Sequence, residues 1–343
     1  MALVHVFVPT HRRGRLLPRA LRSLLAQSHA DWIALVHNDD PADPEPSRVV
    51  ASLNDPRIRL LAHERNLGAV GAFNRGFSEV SQSAEYFSIL EDDGAWHPDF
   101  LSTLKRALDE CPGAHLAWCN QTIATENPDG SWSYTTRTVH PVDSGTGRAT
   151  RRMIPWGDPA QATGARMANG AMLMRREGIP PPTPGDIPFT GMEAFRERLI
   201  RHPMIYLPLP LATYSRTRQS ARDADGHRWG VIQTLLLATY VRNSGMDASG
   251  IRDFWTHLRR QTPAVTNLAL HAAFADRACR PLLSEASSRD WLRYLRTWMG
   301  RPGAAWACIH ARKDHPAWWT MLDKATAERF AEAQLNQRSS SPP

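Results

Sequence analysis

The stretch Tyr86-Phe87-Ser88-Ile89-Leu90-Glu91-Asp92-Asp93-Gly94 restricts the fold of this chain more than any other. A short apolar run closed by charge and glycine reads as a buried strand followed by a turn. Pro98 then opens a helical spacing of apolar residues, Leu101, Leu104, Ala107 and Leu108. A buried strand that feeds a helix through an acidic turn predicts an open α/β sheet. The three carboxylates then stand at the carboxyl end of the strand, where such sheets bind ligands. Packed this closely they repel one another and need a counter-charge, most simply a divalent cation with oxygen ligands. A solvated acidic turn is the alternative reading, and the rest of the chain decides between the two.

Upstream, the same alternation recurs. Val4, Val6 and Val8 mark a first strand that ends at Pro9-Thr10 and meets the basic loop His11-Arg12-Arg13-Gly14. Leu17, Leu21, Leu24 and Leu25 give a helix, and Trp32–Val36 a second strand that runs into His37-Asn38-Asp39-Asp40-Pro41. A helix over Ser47–Leu53 and a strand over Arg57–Leu61 follow. The small residues of Asn66–Gly76 suit a helix packed closely on a sheet. Alternation of this kind predicts parallel βαβ units.

Beyond the acidic turn the pattern predicts a strand at His115–Cys119 and a hairpin over Thr122–Val139. A Gly- and Arg-rich loop at Asp143–Pro159, a strand at Ala171–Met174, a helix at Met192–Arg201 and a strand from Ile205 to Pro208 complete this part. After Ser220 the periodicity turns helical. It predicts a last helix from Trp318 to Leu335 and a disordered end at 337–343.

In all, 343 residues suffice for a sizeable core and for two or three domains. No run of about 18 apolar residues is present, so no membrane-spanning helix is expected. The first residues read directly as a strand, so neither is a signal peptide. Cys111, Cys119, Cys279 and Cys308 have neither metal-ligand nor disulfide-framework spacing, and reduced thiols in a cytoplasmic protein are expected. From Ala221 onward 17 Lys and Arg face 11 Asp and Glu, so this segment carries most of the net charge of +7. Such a tail suits an anionic lipid surface or a phosphorylated substrate, with nucleic acid a poor second, and an ordinary solvated helical surface is the more common alternative. Trp291, Arg293, Tyr294, Arg296 and Trp298 interleave as in an interfacial helix. The same spacing puts Trp291, Leu295 and Trp298 on one face, as an ordinary helical core would. Contact at the inner face of the membrane is the docking expectation.

Other chemistries lack their signatures. A dinucleotide fold wants Gly-x-Gly-x-x-Gly after the first strand, where this chain has Pro9-Thr10-His11-Arg12-Arg13. A nucleotidyltransferase would show a Gly-rich, Lys-bearing N-terminal signature. No histidines have zinc-ligand spacing, and His97 reads as a helix-start residue.

Val8-Pro9-Thr10, Asn38-Asp39-Asp40-Pro41, Asn66-x-Gly68…Ala72-x-Asn74-x-Gly76 and Glu91-Asp92-Asp93…Pro98 occur in fixed order. In that order and spacing the chain resembles the family 2 glycosyltransferases with the GT-A fold, over roughly the first 218 residues. The resemblance implies a GT-A-like, Rossmann-type mixed sheet flanked by helices over 1–218. Its nucleotide-sugar half is about 1–100 and its acceptor half about 101–218, with a helical region at 219–336. It implies an inverting transfer from a nucleotide-sugar donor, a UDP-sugar in the first instance, to a glycan, lipid-linked or peptide acceptor, assisted by Mn2+ or Mg2+. A non-catalytic nucleotide- or glycan-binding scaffold on the same fold is the competing class.

By the same resemblance Asp93 matches the direct metal ligand, and Glu91 and Asp92 match residues facing metal, ribose or donor sugar. Asp39 matches the carboxylate that accepts a hydrogen bond from the uracil edge. The family commonly has Asp-Asp-Gly-Ser where this chain has Asn38-Asp39-Asp40-Pro41, which leaves open whether Asp39 or Asp40 points inward. Pro9, Thr10 and Arg12 bracket base and phosphate, Asn66 is a ligand contact or a local cap, and Arg216 with Arg218 sits on a loop over the diphosphate. The family's base is the Asp of a Glu-Asp pair. That pair is absent, and Glu193 is the nearest carboxylate in register, with Asp186 and Glu197 as competitors. A position early in a helix would favour its ionised form.

Overall fold

The computed structural model describes residues 2–141, 151–163, 166–218 and 226–326. Residues 143–150 of the Gly- and Arg-rich loop, the end of the last helix and the C-terminal tail lie outside them. The chain divides into two compact units, one of 1–156, 167–182 and 200–222, the other of 157–166, 183–199 and 223–343.

The first unit holds the sheet. It opens with β1 (Val4–Thr10), α1 (Leu17–Leu25), β2 (Trp32–Asn38), α2 (Glu45–Leu53), β3 (Ile58–Ala62), α3 (Gly68–Ser78), β4 (Tyr86–Ile89) and α4 (Phe100–Asp109). After these come β5 (Leu116–Glu126), β6 (Trp132–Thr138), β7 (Arg152–Ile154), β8 (Met172–Arg175) and β9 (Met204–Arg216). The order across the sheet is β3-β2-β1-β4-β8-β5-β9-β7, with β6 paired to β5. The first four strands are parallel, as the alternation predicts, and β1 lies beside β4 from Val4 opposite Tyr86 to Phe7 opposite Ile89. β8 enters antiparallel between β4 and β5, so the sheet is mixed.

Packing explains why the sequence takes this form. Val4, Val6 and Val8 face Leu17, Leu21 and Leu24 of α1 within one apolar core that also takes in Leu101, Leu104 and Leu108 of α4. α3 needs its small residues because a Cβ on Gly76 would lie 2.6 Å from the ring of Phe7. Gln27 ties α1 to the turn after the acids: its amide donates to the His97 carbonyl at 2.8 Å and its oxygen accepts from Leu101 N–H at 3.0 Å.

Two expectations are corrected. The loop expected at Asp143–Pro159 contains β7, a three-residue edge strand antiparallel to β9 whose pattern is too short to register as periodicity. Tyr214–Arg216, expected in a loop, continues β9 to 13 residues. Pro208 and Pro210 interrupt the alternation there, and register shifts around Asn120 of β5 absorb them.

The second unit is helical: α5 (Phe189–Leu199), α6 (Gly226–Ser244), α7 (Ala248–Arg260), α8 (Pro263–Ala275), α9 (Leu282–Glu285), α10 (Ser288–Gly300), α11 (Pro302–Asp314) and a helix over 316–326. Leu235, Leu236, Phe254, Trp255, Leu270 and Trp318 are buried in it. Asp186 caps the last helix, accepting from Ala317 N–H at 2.7 Å and Trp318 N–H at 3.0 Å.

Candidate active site

Strand ends β1, β2 and β4 lie side by side, and the polar residues just past them touch. Asp39 N–H donates to the Thr10 carbonyl at 2.9 Å, and the Thr10 hydroxyl donates to Asp92 at 2.9 Å. Both carboxylates are buried: Asp39 is 4% exposed and so is Asp92. Burial pushes the Asp92 carboxyl up to about 7, against the pull of the neighbouring Arg13.

The counter-charge that the acidic triplet needs comes from within the chain. Arg13 forms an ion pair with Asp93 and lies 3.5 Å from Asp92. Arg19 donates to the Asp93 carbonyl at 2.8 Å and stacks 3.9 Å over Trp132, and the Ser215 hydroxyl donates to that same carbonyl. Arg15 pairs with Glu126 of β5. None of Arg13, Arg15, Arg19 or Ser215 was singled out in the sequence. The available signal was charge balance: three arginines at the start of the helix that follows β1, against three acids after β4.

The Asp39–Asp40 question resolves. Asp39 turns inward, where its Oδ1 accepts from His63 Nδ1 and Leu67 N–H, each at 2.8 Å. Asp40 turns outward to Arg12, whose Nε is 2.7 Å away and holds that carboxyl below the usual range. Arg12 takes a left-handed backbone, with φ 55°, and its side chain is 72% exposed. Pro9 sits in β1 opposite His37. Asn66 caps local backbone, accepting from Gly68 N–H at 2.6 Å.

The three acids diverge. Glu91 faces Gly170, where an added Cβ would lie 3.1 Å from its Oε2, and the Trp96 indole donates to the Gly170 carbonyl at 2.8 Å. Asp92 turns to Thr10. Asp93, like Glu91, is partly exposed, with its side chain 19% accessible. Among the described residues no three His, Cys, Asp or Glu side chains converge as a metal cage. Toward a divalent cation Asp93 would offer a single carboxylate ligand, since its Oδ2 is already paired with Arg13.

Arg216 is exposed at the end of β9, next to Ser215. Arg218 N–H donates to Glu126 at 3.0 Å. Glu193 belongs to the second unit, half-buried on α5. The expected helix-start position is corrected: α5 begins at Phe189, so Glu193 lies past the first turn, where the helix-terminal field has fallen off. Its competitors have structural work. Asp186 is the cap described above, and Glu197 is buried and accepts from Arg166 N–H at 2.6 Å.

Residues 5–173 match the family model described as glycosyl transferase family 2. The UDP-Glc:alpha-D-GlcNAc-diphosphoundecaprenol beta-1,3-glucosyltransferase WfgD of Escherichia coli is 31% identical over 94 residues, 27% of this chain and 36% of its own. The GalNAc(5)-diNAcBac-PP-undecaprenol beta-1,3-glucosyltransferase of Campylobacter jejuni is 32% identical over 113 residues, 32% of this chain and 36% of its own. The alignments thus span 36% of the length of these curated relatives. S. aureus TarS, solved with UDP and with UDP-GlcNAc, shares the fold: with UDP bound it aligns over 96% of this chain and 92% of its own, at a TM-score of 0.56 and 12% identity. Through residues 5–173 the chain belongs to glycosyl transferase family 2, on a GT-A fold.

Proposed function

We propose that this chain transfers a sugar from a uridine diphosphate donor to a lipid-linked glycan, with inversion at the anomeric carbon. The observation that carries the reading is the contact chain Asp39–Thr10–Asp92 across three parallel strand ends, closed by Arg13 on Asp93. On this reading the row holds a buried acceptor carboxylate for a base, a partly exposed acid for a cation and a guanidinium for a diphosphate. The diphosphoundecaprenol-linked acceptors of WfgD and its Campylobacter counterpart favour a lipid-linked acceptor over a free glycan or a peptide, and TarS favours UDP.

Each residue then has a task. Asp39 accepts from the base, Thr10 and Pro9 line the nucleoside, and Glu91 and Asp92 border ribose and donor sugar. Charge develops on the departing phosphate oxygen, and Arg13 and Arg216 share it. A divalent cation on Asp93 would supply Lewis acidity at the same oxygen. Glu193 takes the proton of the acceptor hydroxyl as it attacks.

The acceptor reading extends to α10. Leu292, Leu295 and Met299 recur along it at 51%, 54% and 76% exposure, with Arg289 and Arg296 also exposed on the same helix. Leu295 thus lies outside the helical core, in which Asp290 and Tyr294 are buried and Trp291 and Trp298 half-buried. No helix among the described residues is long and apolar enough to cross a membrane. An apolar, arginine-flanked strip suits the surface of an anionic bilayer that carries the acceptor.

The test is donor turnover with and without Mn2+. Asp93→Ala should abolish the Mn2+-dependent part and weaken UDP-sugar binding far more than uridine binding, because the carboxylate acts through the diphosphate. Metal dependence that survives in the variant refutes the assignment of Asp93. Tight UDP binding with no turnover of any UDP-sugar would identify a binding module instead.

A further inference from the structure

Two buried histidines stand in line with Asp39. Nδ1 of His63 is 2.8 Å from Asp39 Oδ1, and Nε2 of His63 is 3.1 Å from Nδ1 of His37. His37 is 1% exposed and His63 7%. The partners set the tautomers. A ring nitrogen facing a carboxylate carries the proton, so Nε2 of neutral His63 accepts and Nδ1 of His37 donates. That assignment leaves Nε2 of His37 as a bare lone pair, and this buried atom is the one without a hydrogen-bond partner. Burial pushes His37 down to about 3, which keeps it neutral. Phe7 packs edge-on against the His37 ring at 4.8 Å, and Phe73 and Gly76 of α3 pack on Phe7, so the far end of the line is anchored in the core.

Both side-chain hydrogen bonds of Asp39, from His63 and from Leu67 N–H, fall on Oδ1. Two donors on one oxygen fix the carboxylate plane and keep that oxygen unprotonated. Oδ2 is then an acceptor with a set direction. Uracil and guanine offer a ring N–H to such an oxygen, whereas cytosine and adenine present a bare ring nitrogen, lone pair against lone pair.

We propose that the His37–His63 line is a positioning device that locks Asp39 as an acceptor-only carboxylate and thereby determines which nucleotide bases the site admits. The inference rests on the proposed contact of Asp39 with the base. Neither histidine touches the nucleotide; both act through Asp39.

Calorimetric titration of UDP and CDP into the full chain tests it. His63→Leu frees Asp39 to turn, so UDP binding should weaken about tenfold, the effect of one lost buried hydrogen bond, and the preference for UDP over CDP should narrow by a similar factor. His63→Asn places an amide N–H where Nδ1 stood and should restore most of that preference. A role in packing alone predicts a lower melting temperature with an unmoved UDP:CDP ratio, and that result overturns the proposal. If His63→Leu does not fold, His63→Phe serves: it keeps a ring in that place but brings no donor to Asp39 and should narrow the same ratio, and an unchanged ratio overturns the proposal equally. Asp39→Asn separates the two levels. If it leaves UDP binding unaltered, Asp39 is not the base contact and both readings fall. If it weakens binding while His63→Leu does not, only the positioning role falls.

Discussion

Arg13 and Glu193 show what a residue's identity does and does not convey. An arginine in a basic loop is ordinarily solvated, and nothing local distinguishes Arg13 from Arg12, which is exposed and paired with Asp40. Which arginine meets Asp93 depends on the left-handed turn at Arg12, a feature of φ that spacing does not encode. Glu193 is assigned by register alone, and its half-buried place on α5 gives it no help from the helix terminus. Its assignment as base has a direct test. Glu193→Gln keeps the size and hydrogen-bonding capacity but cannot accept the proton. Transfer should fall roughly a hundredfold or more while UDP-sugar affinity holds. Near-normal turnover would move the base elsewhere, and Asp186 is an unattractive substitute because both of its oxygens are committed to the helix it caps.

At the scale of elements, local pattern carried the first half of the sheet and failed where pairing is non-local. β1, β2 and β4 were legible because apolar alternation and turn residues mark each one. The insertion of β8 between β4 and β5 was not, since a four-residue strand carries no record of its neighbours. For α10, periodicity left two readings open: Leu295 is exposed, while Trp291 and Trp298 are half-buried. Replacing Leu292, Leu295 and Met299 together by Ser should leave the melting temperature unchanged and cut partition onto anionic vesicles roughly a hundredfold at low salt, at about 1 kcal/mol for each half-exposed apolar side chain. Vesicle co-sedimentation of the two proteins decides the matter, and equal binding would mean that the strip serves another purpose.

Across the whole molecule, stability is tied to pH by histidines that are buried uncharged. Burial pushes His5 down to about 4, His37 to about 3 and His271 to about 4, while an unfolded chain protonates each near the usual value of 6.5. Below that pH the unfolded state therefore binds the extra protons, and stability falls as pH falls toward 4. Asp92, pushed up to about 7, works in the opposite direction because the folded state takes its proton first. Three protons against one leave a net of two, a slope of about 2.7 kcal/mol per pH unit between roughly pH 6 and 4.5. Urea midpoints measured at half-unit steps should drop steeply over that interval, and His271→Gln should flatten the curve by about half of that slope. A midpoint independent of pH there would mean that the histidines gain their protons without unfolding.

The place of β8 in the sheet also bears on how the chain is made. The strands β1 to β4 are complete once Ile89 has been synthesised, and they can pair among themselves at that point. The other side of β4 waits for Met172, and at about 5–20 residues per second the ribosome needs roughly 4 to 17 s to reach it. For that interval a nascent sheet exposes an apolar edge, the kind of surface through which chains aggregate. Translation speed across this middle stretch therefore sets how long that edge waits for its partner, although it changes nothing in the finished molecule.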